Sequence, residues 1–279
     1  MAVTNSENPE IGLRLRVGQI DTNYHDQGEG HPVLLIHGSG PGVTAWANWR
    51  LNIGPLAERA RVLAPDMVGF GYTEAPPSVS YDLDTWVDHL IGFLDALSLP
   101  QVDLVGNSFG GGVSLAVASR HPDRVRRLVL MGSVGTSFPL TPGLDAVWGY
   151  EPSLQNMKGL LDVFAYDRKL VSDELAELRY RASIRPGVQE RFGRMFSPGP
   201  RQRYIEALAT PEEQLRTLQH ETLVVHGRED QVIPLQNSIK LASLLPRAQL
   251  HVFPHCGHWT QIEWTATFNR LVGDFLAAP

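Results

Sequence analysis

Gly106-Asn107-Ser108-Phe109-Gly110 is the most telling segment of this 279-residue chain. It follows the apolar run Val102–Val105 and precedes a helical pattern over 109–121. This context predicts a strand, a sharp turn and a helix, with glycines where the turn has no room for side chains and with the serine hydroxyl lifted clear of the sheet. An ordinary glycine-rich turn also fits such a segment, so its interpretation depends on partners elsewhere in the chain.

Short β-rich runs alternate with helical patterns along most of the chain. Most runs are continuously apolar, which is typical of strands buried on both faces of a sheet. This alternation predicts an α/β fold, with a mostly parallel twisted sheet flanked by helices, preceded by an antiparallel hairpin. The predicted strands are Leu13–Val17, Thr22–His25, Pro32–Ile36, Arg61–Ala64, Val102–Val105, Leu128–Met131, Thr222–Val225 and Leu250–Phe253, and the predicted helices cover about 48–59, 82–98, 109–121, 235–245 and 262–277.

The regular alternation stops after Met131. From there to about residue 203 the patterns are helical, and one of them places Met157, Leu160 and Leu161 on a single apolar face. A helical insertion between strands predicts a cap over the carboxyl edge of the sheet, where ligand sites of α/β folds lie. We therefore expect a core domain formed by 1–134 and 207–279 and a helical cap formed by 135–206.

Composition argues against several classes of protein and kinds of site. Acidic residues outnumber basic ones by 30 to 24, and no basic stripe is present, which argues against nucleic-acid binding. The single cysteine, Cys256, excludes an intrachain disulfide. The N-terminal residues are polar, and the long uncharged stretches are broken by Gly and Pro, so we expect no signal peptide, no membrane span and a cytoplasmic protein. The 10 histidines are scattered without a metal-binding motif, so we expect no metal site.

A serine nucleophile needs a base, and the base needs an acid that orients it. The candidate acid is Asp230, which follows the seventh predicted strand and fits a G-x-x-D pattern better than its neighbour Glu229 does. The candidate base is His258, which follows the eighth predicted strand and is preferred to His255 because the final helix comes directly after it. A helix-capping aspartate and a satisfied loop histidine are the structural alternatives. The chain order serine, acid, histidine, each after a strand, favours a catalytic triad with Ser108.

The segment His37-Gly38-Ser39-Gly40-Pro41-Gly42 follows the third predicted strand. Acyl transfer requires donors directed at the developing oxyanion, and a glycine-rich loop can present its backbone amides for this purpose. We expect the N–H groups of Ser39 and Phe109 to form the oxyanion hole. A phosphate cradle is the alternative, but the loop lacks the lysine and the spacing of a phosphate-binding motif.

These segments together resemble the α/β-hydrolase superfamily and, within it, the meta-cleavage product hydrolases, which cleave carbon–carbon bonds in bacterial aromatic catabolism. The resemblance covers nearly the whole chain, and its catalytic motifs show no departure. Two insertion segments, Val147–Tyr150 and Asp162–Arg168, are most similar to those of 2-hydroxymuconate-semialdehyde hydrolases. The other segments that carry the resemblance are His37–Gly42, Trp46–Trp49, Gly106–Gly111, Gly227–Asp230 and Cys256–Gln261.

The resemblance implies a small-molecule dienoate as substrate, cleavage through a Ser-His-Asp triad after ketonisation, no cofactor or metal, and a homo-oligomer. Taken from the residues alone, Arg179 could be a solvated helix-face charge, Asn48 a helix N-cap, Asn107 a turn-stabilising amide and Trp259 a packing residue. The positions at which the resemblance implies substrate binding are Gly38, Gly40, Asn48, Asn107, Arg179 and Trp259.

Two other functions remain open. A carboxylesterase of the same fold would need the same triad but no residues that bind a carboxylate. A non-catalytic receptor of this fold would bind a small ligand without using Ser108 as a nucleophile. Epoxide hydrolases and haloalkane dehalogenases are disfavoured, because their nucleophile is an aspartate.

Overall fold

Residues 8–278 are described by a computed structural model, and within them eight strands form one sheet in the order β1-β2-β4-β3-β5-β6-β7-β8. β2 pairs antiparallel with β1 and with β4, and the remaining neighbours pair parallel. The predicted α/β fold with its antiparallel hairpin is therefore confirmed. The strands are β1 Leu13–Val17, β2 Ile20–Gln27, β3 Pro32–Ile36, β4 Arg61–Pro65, β5 Val102–Asn107, β6 Val125–Met131, β7 Glu221–Gly227 and β8 Ala248–Phe253.

Both faces of the central strands are buried, which explains their continuous apolar runs. Leu34, Leu104 and Leu128 belong to the apolar cluster on one face of the sheet. Val105 and Val129, each one residue further along its strand, belong to the cluster on the other face. Since successive side chains of a strand point to opposite faces, a polar residue in these runs would be buried on either side.

Helices cover both faces of the sheet, and α5–α9 form a helical insertion between β6 and β7 in the chain. Within residues 8–278 none has the length and hydrophobicity needed to cross a bilayer. The helices are α1 Ala45–Trp49, α2 Ile53–Ala57, α3 Leu83–Ala96, α4 Phe109–Arg120, α5 Pro142–Trp148, α6 Leu154–Phe164, α7 Asp173–Ser183, α8 Val188–Met195, α9 Gln202–Ala207, α10 Glu212–Leu215, α11 Leu235–Leu244, α12 Thr260–Glu263 and α13 Thr265–Ala277.

The predicted helix over 48–59 is wrong in its bounds, because the structure has two short helices there. α1 begins three residues earlier, and its N-cap is Thr44, whose side chain accepts a hydrogen bond from Ala47 N. The alternative that Asn48 is an N-cap is therefore wrong. Pro55, inside α2, has no N–H with which to continue a helix from α1, so the helix is interrupted at residues 50–52.

Candidate active site

Ser108 occupies the sharp turn between β5 and α4. Its backbone has φ 55° and ψ −113°, a combination that residues other than glycine rarely adopt and that is found at functional turns. Space requires glycines on both sides, since a Cβ on Gly106 would lie 2.4 Å from Gly110 O and one on Gly110 would lie 2.3 Å from Ile36 O. The predicted strand–turn–helix is confirmed, and the strain is concentrated at the serine.

His258 and Asp230 form a close pair in the loops after β8 and β7. His258 Nδ1 lies 2.7 Å from Asp230 Oδ2, and Asp230 Oδ1 accepts from the backbone amides of Val232 at 2.7 Å and Ile233 at 3.0 Å. Burial alone would raise the pKa of Asp230, but the facing His258 and these hydrogen bonds hold it below its ordinary value. The ionised carboxylate keeps the imidazole proton on Nδ1 and leaves Nε2 available as a base.

The third member, Ser108, lines the same cavity as His258. Among residues 8–278, no hydrogen bond joins the Ser108 hydroxyl to the His258 ring. Such a bond is often long in a ligand-free enzyme and tightens when substrate binds. The structure therefore brings the three predicted residues to one edge of the sheet, in the arrangement that a serine nucleophile, a base and an orienting acid require.

Glu229 and His255, the alternatives to the candidate acid and base, have structural contacts of their own. Glu229 Oε2 accepts a hydrogen bond from Cys256 N at 2.9 Å and so ties the Asp230 loop to the His258 loop. His255 is exposed, with its ring against Tyr166. Neither side chain lines the cavity that contains Ser108.

Gly132, directly after β6, is a position in the candidate site that sequence reasoning missed. Its φ is +48°, and a Cβ there would lie 3.1 Å from His258 Nδ1 and 3.2 Å from Asp230 Oδ2. The backbone of Gly132 thus packs against the hydrogen-bonded pair itself. A glycine at the end of the strand beside β5 was the available signal, but only the sheet order shows what it touches.

The glycine-rich loop after β3 places Ser39 in the cavity wall, and Phe109 begins α4 directly after Ser108. In the described part of the chain neither backbone amide donates to another protein group, so both are available to an oxyanion. His37 Nδ1 donates to Gly38 O at 2.6 Å and fixes the peptide that carries the Ser39 N–H. Burial lowers the pKa of His37 to about 4, which keeps this ring neutral.

From the other side, the helical insertion also fixes this loop. Trp148 Nε1 on α5 donates to Ser39 Oγ at 3.0 Å. The indole in turn stacks on Phe196, with ring centroids 5.1 Å apart. The position of the Ser39 amide therefore depends on a helix that is distant in the sequence.

A cavity of about 820 Å³ lies between the sheet edge and the helical insertion. Its wall combines a polar part, supplied mainly by α1, α7 and the loop after β3, with an apolar part supplied mainly by α5 and α6. A mostly apolar cavity with a few convergent polar groups is typical of a small-molecule site. The apolar part includes Leu144, Val147, Met157, Leu161, Phe164, Leu175 and Val232.

The six predicted substrate-binding residues all line this cavity. Arg179 is not a solvated charge, because its side chain is only 14% exposed. Asn48 Nδ2 is buried without a hydrogen-bond partner, and Asn48 Oδ1 accepts from Gly38 N at 3.4 Å. Asn107 Nδ2 donates to Met131 O at 3.3 Å, so its amide does support the turn. At Gly40 a Cβ would meet no other atom within 4 Å, so this glycine faces open space.

Trp259 packs as well as lining the cavity. Its ring stacks on Phe164 of α6, with centroids 5.3 Å apart. Phe164 O accepts hydrogen bonds from the backbone amides of His258 at 2.8 Å and Trp259 at 3.3 Å. The end of α6 thus holds the loop that carries the candidate base.

Glu263 is a second position that sequence reasoning missed. Its Oε2 accepts from the amides of Tyr166 and Asp167, both at 2.9 Å, and its Oε1 accepts from Gly257 N at 2.7 Å. One carboxylate therefore joins the helical insertion to the residue before His258. A charged residue at the end of α12 carries no sequence signal for this contact.

The part of the chain that the structure describes shows no set of side chains that could bind a metal ion. No group of three or more His, Cys, Asp or Glu side chains is placed to hold a metal ion there. Cys256 is buried and unpaired, and burial raises the pKa of its thiol well above the ordinary range.

Comparison with known proteins agrees with this geometry. A family described as the alpha/beta hydrolase fold matches residues 31–264. The chain is 65% identical to a 2-hydroxymuconate semialdehyde hydrolase of Pseudomonas sp. strain CF600, over 96% of this chain and 95% of that protein. It is 62% identical to a 2-hydroxy-6-oxo-2,4-heptadienoate hydrolase of Pseudomonas putida F1, over 97% and 98%.

A solved structure extends the likeness to three dimensions. The meta-cleavage product hydrolase of Pseudomonas fluorescens IP01, in complex with acetates, superposes with a TM-score of 0.95 at 60% identity, over 96% of this chain and 98% of that one. Likeness of this extent covers the sheet, the helical insertion and the loops that carry the candidate triad. The chain therefore belongs to the alpha/beta hydrolase fold family and, within it, to the meta-cleavage product hydrolases.

Proposed function

We propose that this protein hydrolyses a carbon–carbon bond in 2-hydroxy-6-oxohexa-2,4-dienoates, the products of aromatic ring fission. The observation that carries the proposal is the sharing of one cavity by Ser108, His258 and the buried guanidinium of Arg179. A triad alone would serve any ester, whereas a buried arginine beside it selects an anionic substrate, because a guanidinium binds a carboxylate in a planar, bidentate manner. The relatives with 65% and 62% identity are named for substrates of this class.

In the first step the substrate binds with its carboxylate near Arg179 and Asn107 and is converted from the dienol to the keto form. Ketonisation moves a proton from the 2-hydroxyl to C5 and leaves a carbonyl at C2 conjugated to the C3–C4 double bond. The new carbonyl is the electron sink that cleavage requires. Asn48, whose Nδ2 is buried without a partner, is a donor available to an oxygen at this end of the substrate.

In the second step Ser108 attacks the C6 carbonyl while His258 Nε2 takes the hydroxyl proton. Asp230 stabilises the imidazolium, and the amides of Ser39 and Phe109 stabilise the oxyanion. The C5–C6 bond then breaks, and its electron pair passes into the C2 carbonyl, giving a dienol product and an acyl group on Ser108. The proton that completes the product comes from His258.

In the third step water attacks the acyl group, with His258 as the base, and releases a carboxylic acid. A hydrogen at C6 would give formate and a methyl group would give acetate, in each case together with 2-hydroxypenta-2,4-dienoate. We propose these two substituents as the preferred ones, because the relatives with 65% and 62% identity are named for the semialdehyde and the heptadienoate. The apolar wall from α5 and α6 suits a small uncharged substituent.

The test is a spectrophotometric assay with three ring-fission products that bear hydrogen, methyl or phenyl at C6. Loss of the yellow dienolate absorbance reports cleavage. Rapid bleaching of the hydrogen and methyl compounds, with slow bleaching of the phenyl compound, is the expected result. If none is bleached while simple aryl esters are hydrolysed, the protein is a carboxylesterase instead. If neither class is turned over and a fluorophosphonate leaves Ser108 unlabelled, it is a receptor.

We also propose that residues 1–134 and 207–279 form the core domain and 135–206 the cap, a division supported by the position of α5–α9 over the cavity. We further propose that the protein forms a homo-oligomer and is located in the cytoplasm. β8 is an edge strand with Leu250 36% exposed, and the unpaired backbone groups of such an edge can pair with another chain. Light scattering after size-exclusion chromatography tests the oligomer, since a monomer at micromolar concentration would contradict it, and cell fractionation tests the location.

A further inference from the structure

Arg185 has an unusual position in the cavity wall. It lies just beyond α7, with its guanidinium 3.9 Å from the centroid of the Tyr72 ring and its Nε donating to Ala182 O at 3.2 Å. Its Nη2 is buried and has no hydrogen-bond partner. A buried guanidinium donor without an acceptor is costly, so an acceptor supplied by a ligand would be strongly favoured there.

The surroundings of Arg185 are positively charged. Four arginines line the cavity, Arg50, Arg179, Arg181 and Arg185, and Glu10 is the acidic residue among the lining side chains. The charge of Arg181 is matched by its exposed partner Glu177. The other three arginines and Glu10 therefore leave a formal charge of +2 at this part of the wall. Burial, followed by the charges of Arg185 and Arg50, lowers the pKa of Arg179, whereas Glu10 acts in the opposite direction.

Glu10 faces the same guanidinium that a substrate carboxylate would use. Its Oε1 lies 3.4 Å from both Nη1 and Nη2 of Arg179, and Arg179 Nη2 also donates to Gly42 O at 3.3 Å. Two carboxylates near one guanidinium repel each other, most strongly where water is excluded. A bound carboxylate must therefore share Arg179 with Glu10 or displace it.

We propose that Arg185 is a second carboxylate-binding residue of this cavity and that Glu10 is an internal competitor that limits carboxylate affinity. The ligand is a planar carboxylate with an adjacent oxygen, as in a 2-hydroxy- or 2-oxo-dienoate, so the inference rests on the proposed function. The unpartnered Nη2 of Arg185, together with the guanidinium of Arg179 once Glu10 is displaced, would supply donors to such a pair of oxygens. A ring-fission product with an ionised enol carries two negative charges, which match the +2 of the wall.

Competition by Glu10 has a consequence for turnover. The dienoate product keeps the carboxylate after cleavage, so a site that bound this group too tightly would release product slowly. A nearby negative charge weakens the binding of substrate and product alike. Removing it should tighten carboxylate binding, whereas removing the Arg185 charge should loosen it.

The test measures the Kd of hexa-2,4-dienoate, which lacks the C6 carbonyl and so cannot be cleaved, by calorimetry on the full-length protein. The uncharged hexa-2,4-dienamide is the ligand control. We expect Arg185→Gln to raise the Kd of the dienoate at least about tenfold and Glu10→Gln to lower it about threefold or more, with the amide affected less than about twofold. Arg247→Gln and Glu221→Gln are matched control variants, because these two residues pair with each other at the surface and neither lines the cavity.

An unchanged dienoate Kd in Arg185→Gln, or a weakened one in Glu10→Gln, would overturn the proposal. Should Arg185→Gln fail to fold, Arg185→Met replaces it in the same comparison, because the methionine keeps an unbranched stem against Tyr72. If the Kd values change as expected but no ring-fission product is bleached, the carboxylate site stands and the proposed function fails. If the products are bleached but Arg185→Gln binds normally, only the present inference fails.

Discussion

At the scale of single residues, the candidate nucleophile Ser108 has a strained backbone. Its φ of 55° and ψ of −113° are unfavourable for any residue with a Cβ, and such strain costs about 1–3 kcal/mol. A strained strand-to-helix turn of this kind presents the serine hydroxyl above the sheet edge. With Ser108 as the proposed nucleophile, this is a position where we expect stability and activity to conflict.

Replacing Ser108 separates these two effects. Ser108→Ala should lower kcat for the ring-fission product by at least about 10⁴-fold, because removal of a triad nucleophile leaves only the remaining binding and oxyanion contacts. Ser108→Gly should be equally inactive but more stable than Ser108→Ala by about 1 kcal/mol, because glycine adopts positive φ without strain. Urea unfolding and the bleaching assay measure the two properties. Cleavage by Ser108→Ala at near the wild-type rate would show that the nucleophile is assigned wrongly.

Gly132 provides a second prediction at this scale. Gly132→Ala would place a Cβ 3.1 Å from His258 Nδ1 at a φ of +48°. We expect a loss of about 1 kcal/mol in stability and a fall in kcat of at least about tenfold, because the His258–Asp230 pair must shift. The control is Gly159→Ala in α6, where a Cβ meets no other atom within 4 Å. This variant should keep wild-type kcat, and an unchanged kcat in Gly132→Ala as well would contradict the proposed packing role.

At the scale of elements, the position of His258 depends on contacts between the helical insertion and the loop after β8. Phe164 O accepts from two amides of that loop, and the Glu263 carboxylate accepts from one amide of it and two of the insertion. The insertion therefore does more than cover the cavity. Its hydrogen bonds also fix the loop that carries the candidate base, and β8 of the sheet fixes the start of the same loop.

Glu263→Gln tests this connection. An amide has one acceptor oxygen where the carboxylate has two, so it cannot satisfy Gly257 N on one side and the amides of Tyr166 and Asp167 on the other. We expect a stability loss of about 1–3 kcal/mol and faster proteolysis between residues 165 and 170, together with a lower kcat. Glu213→Gln, an exposed substitution on α10, is the control for the charge change. Unchanged kcat and unchanged proteolysis would show that the connection does not position the base.

At the scale of the whole molecule, buried neutral histidines make the fold sensitive to acid. Burial lowers the pKa of His37 to about 4 and that of His89 to about 3, from an ordinary value of 6.5. Below pH 6.5 the unfolded chain binds protons that these two folded-state rings do not bind. Their contribution to stability is therefore complete above pH 6.5 and is lost as the pH falls towards the folded-state values.

Urea unfolding at pH 7 and at pH 5 measures this dependence. Each such histidine should contribute up to about 2 kcal/mol to the loss of stability between these two pH values. His89→Gln should therefore show a smaller loss than the wild type. His255→Gln replaces an exposed ring and should keep the wild-type pH dependence. An equal loss in wild type and His89→Gln would show that the buried ring does not drive acid unfolding.

Much of this architecture could be predicted from the sequence because its signals are local. The apolar runs identified the eight strands, and G-x-S-x-G identified the turn at Ser108, since both patterns reflect the immediate backbone geometry. The helix over 48–59 was predicted with the wrong bounds, because the cap at Thr44 and the break before Pro55 outweighed a continuous helical pattern. Boundaries depend on single capping contacts, which a periodicity does not contain.

The sequence by itself determined the class of fold, the order of the candidate nucleophile, acid and base, and the segments that carry them, because short-range propensities and strand-end motifs encode these features. Only the tertiary structure decided which side chains meet. Gly132 lies against the His258–Asp230 pair, Glu263 joins two distant loops, and Glu10 faces Arg179 across 169 positions of the chain. Contacts of this kind arise from the packing of elements far apart in the chain, and no local pattern specifies them.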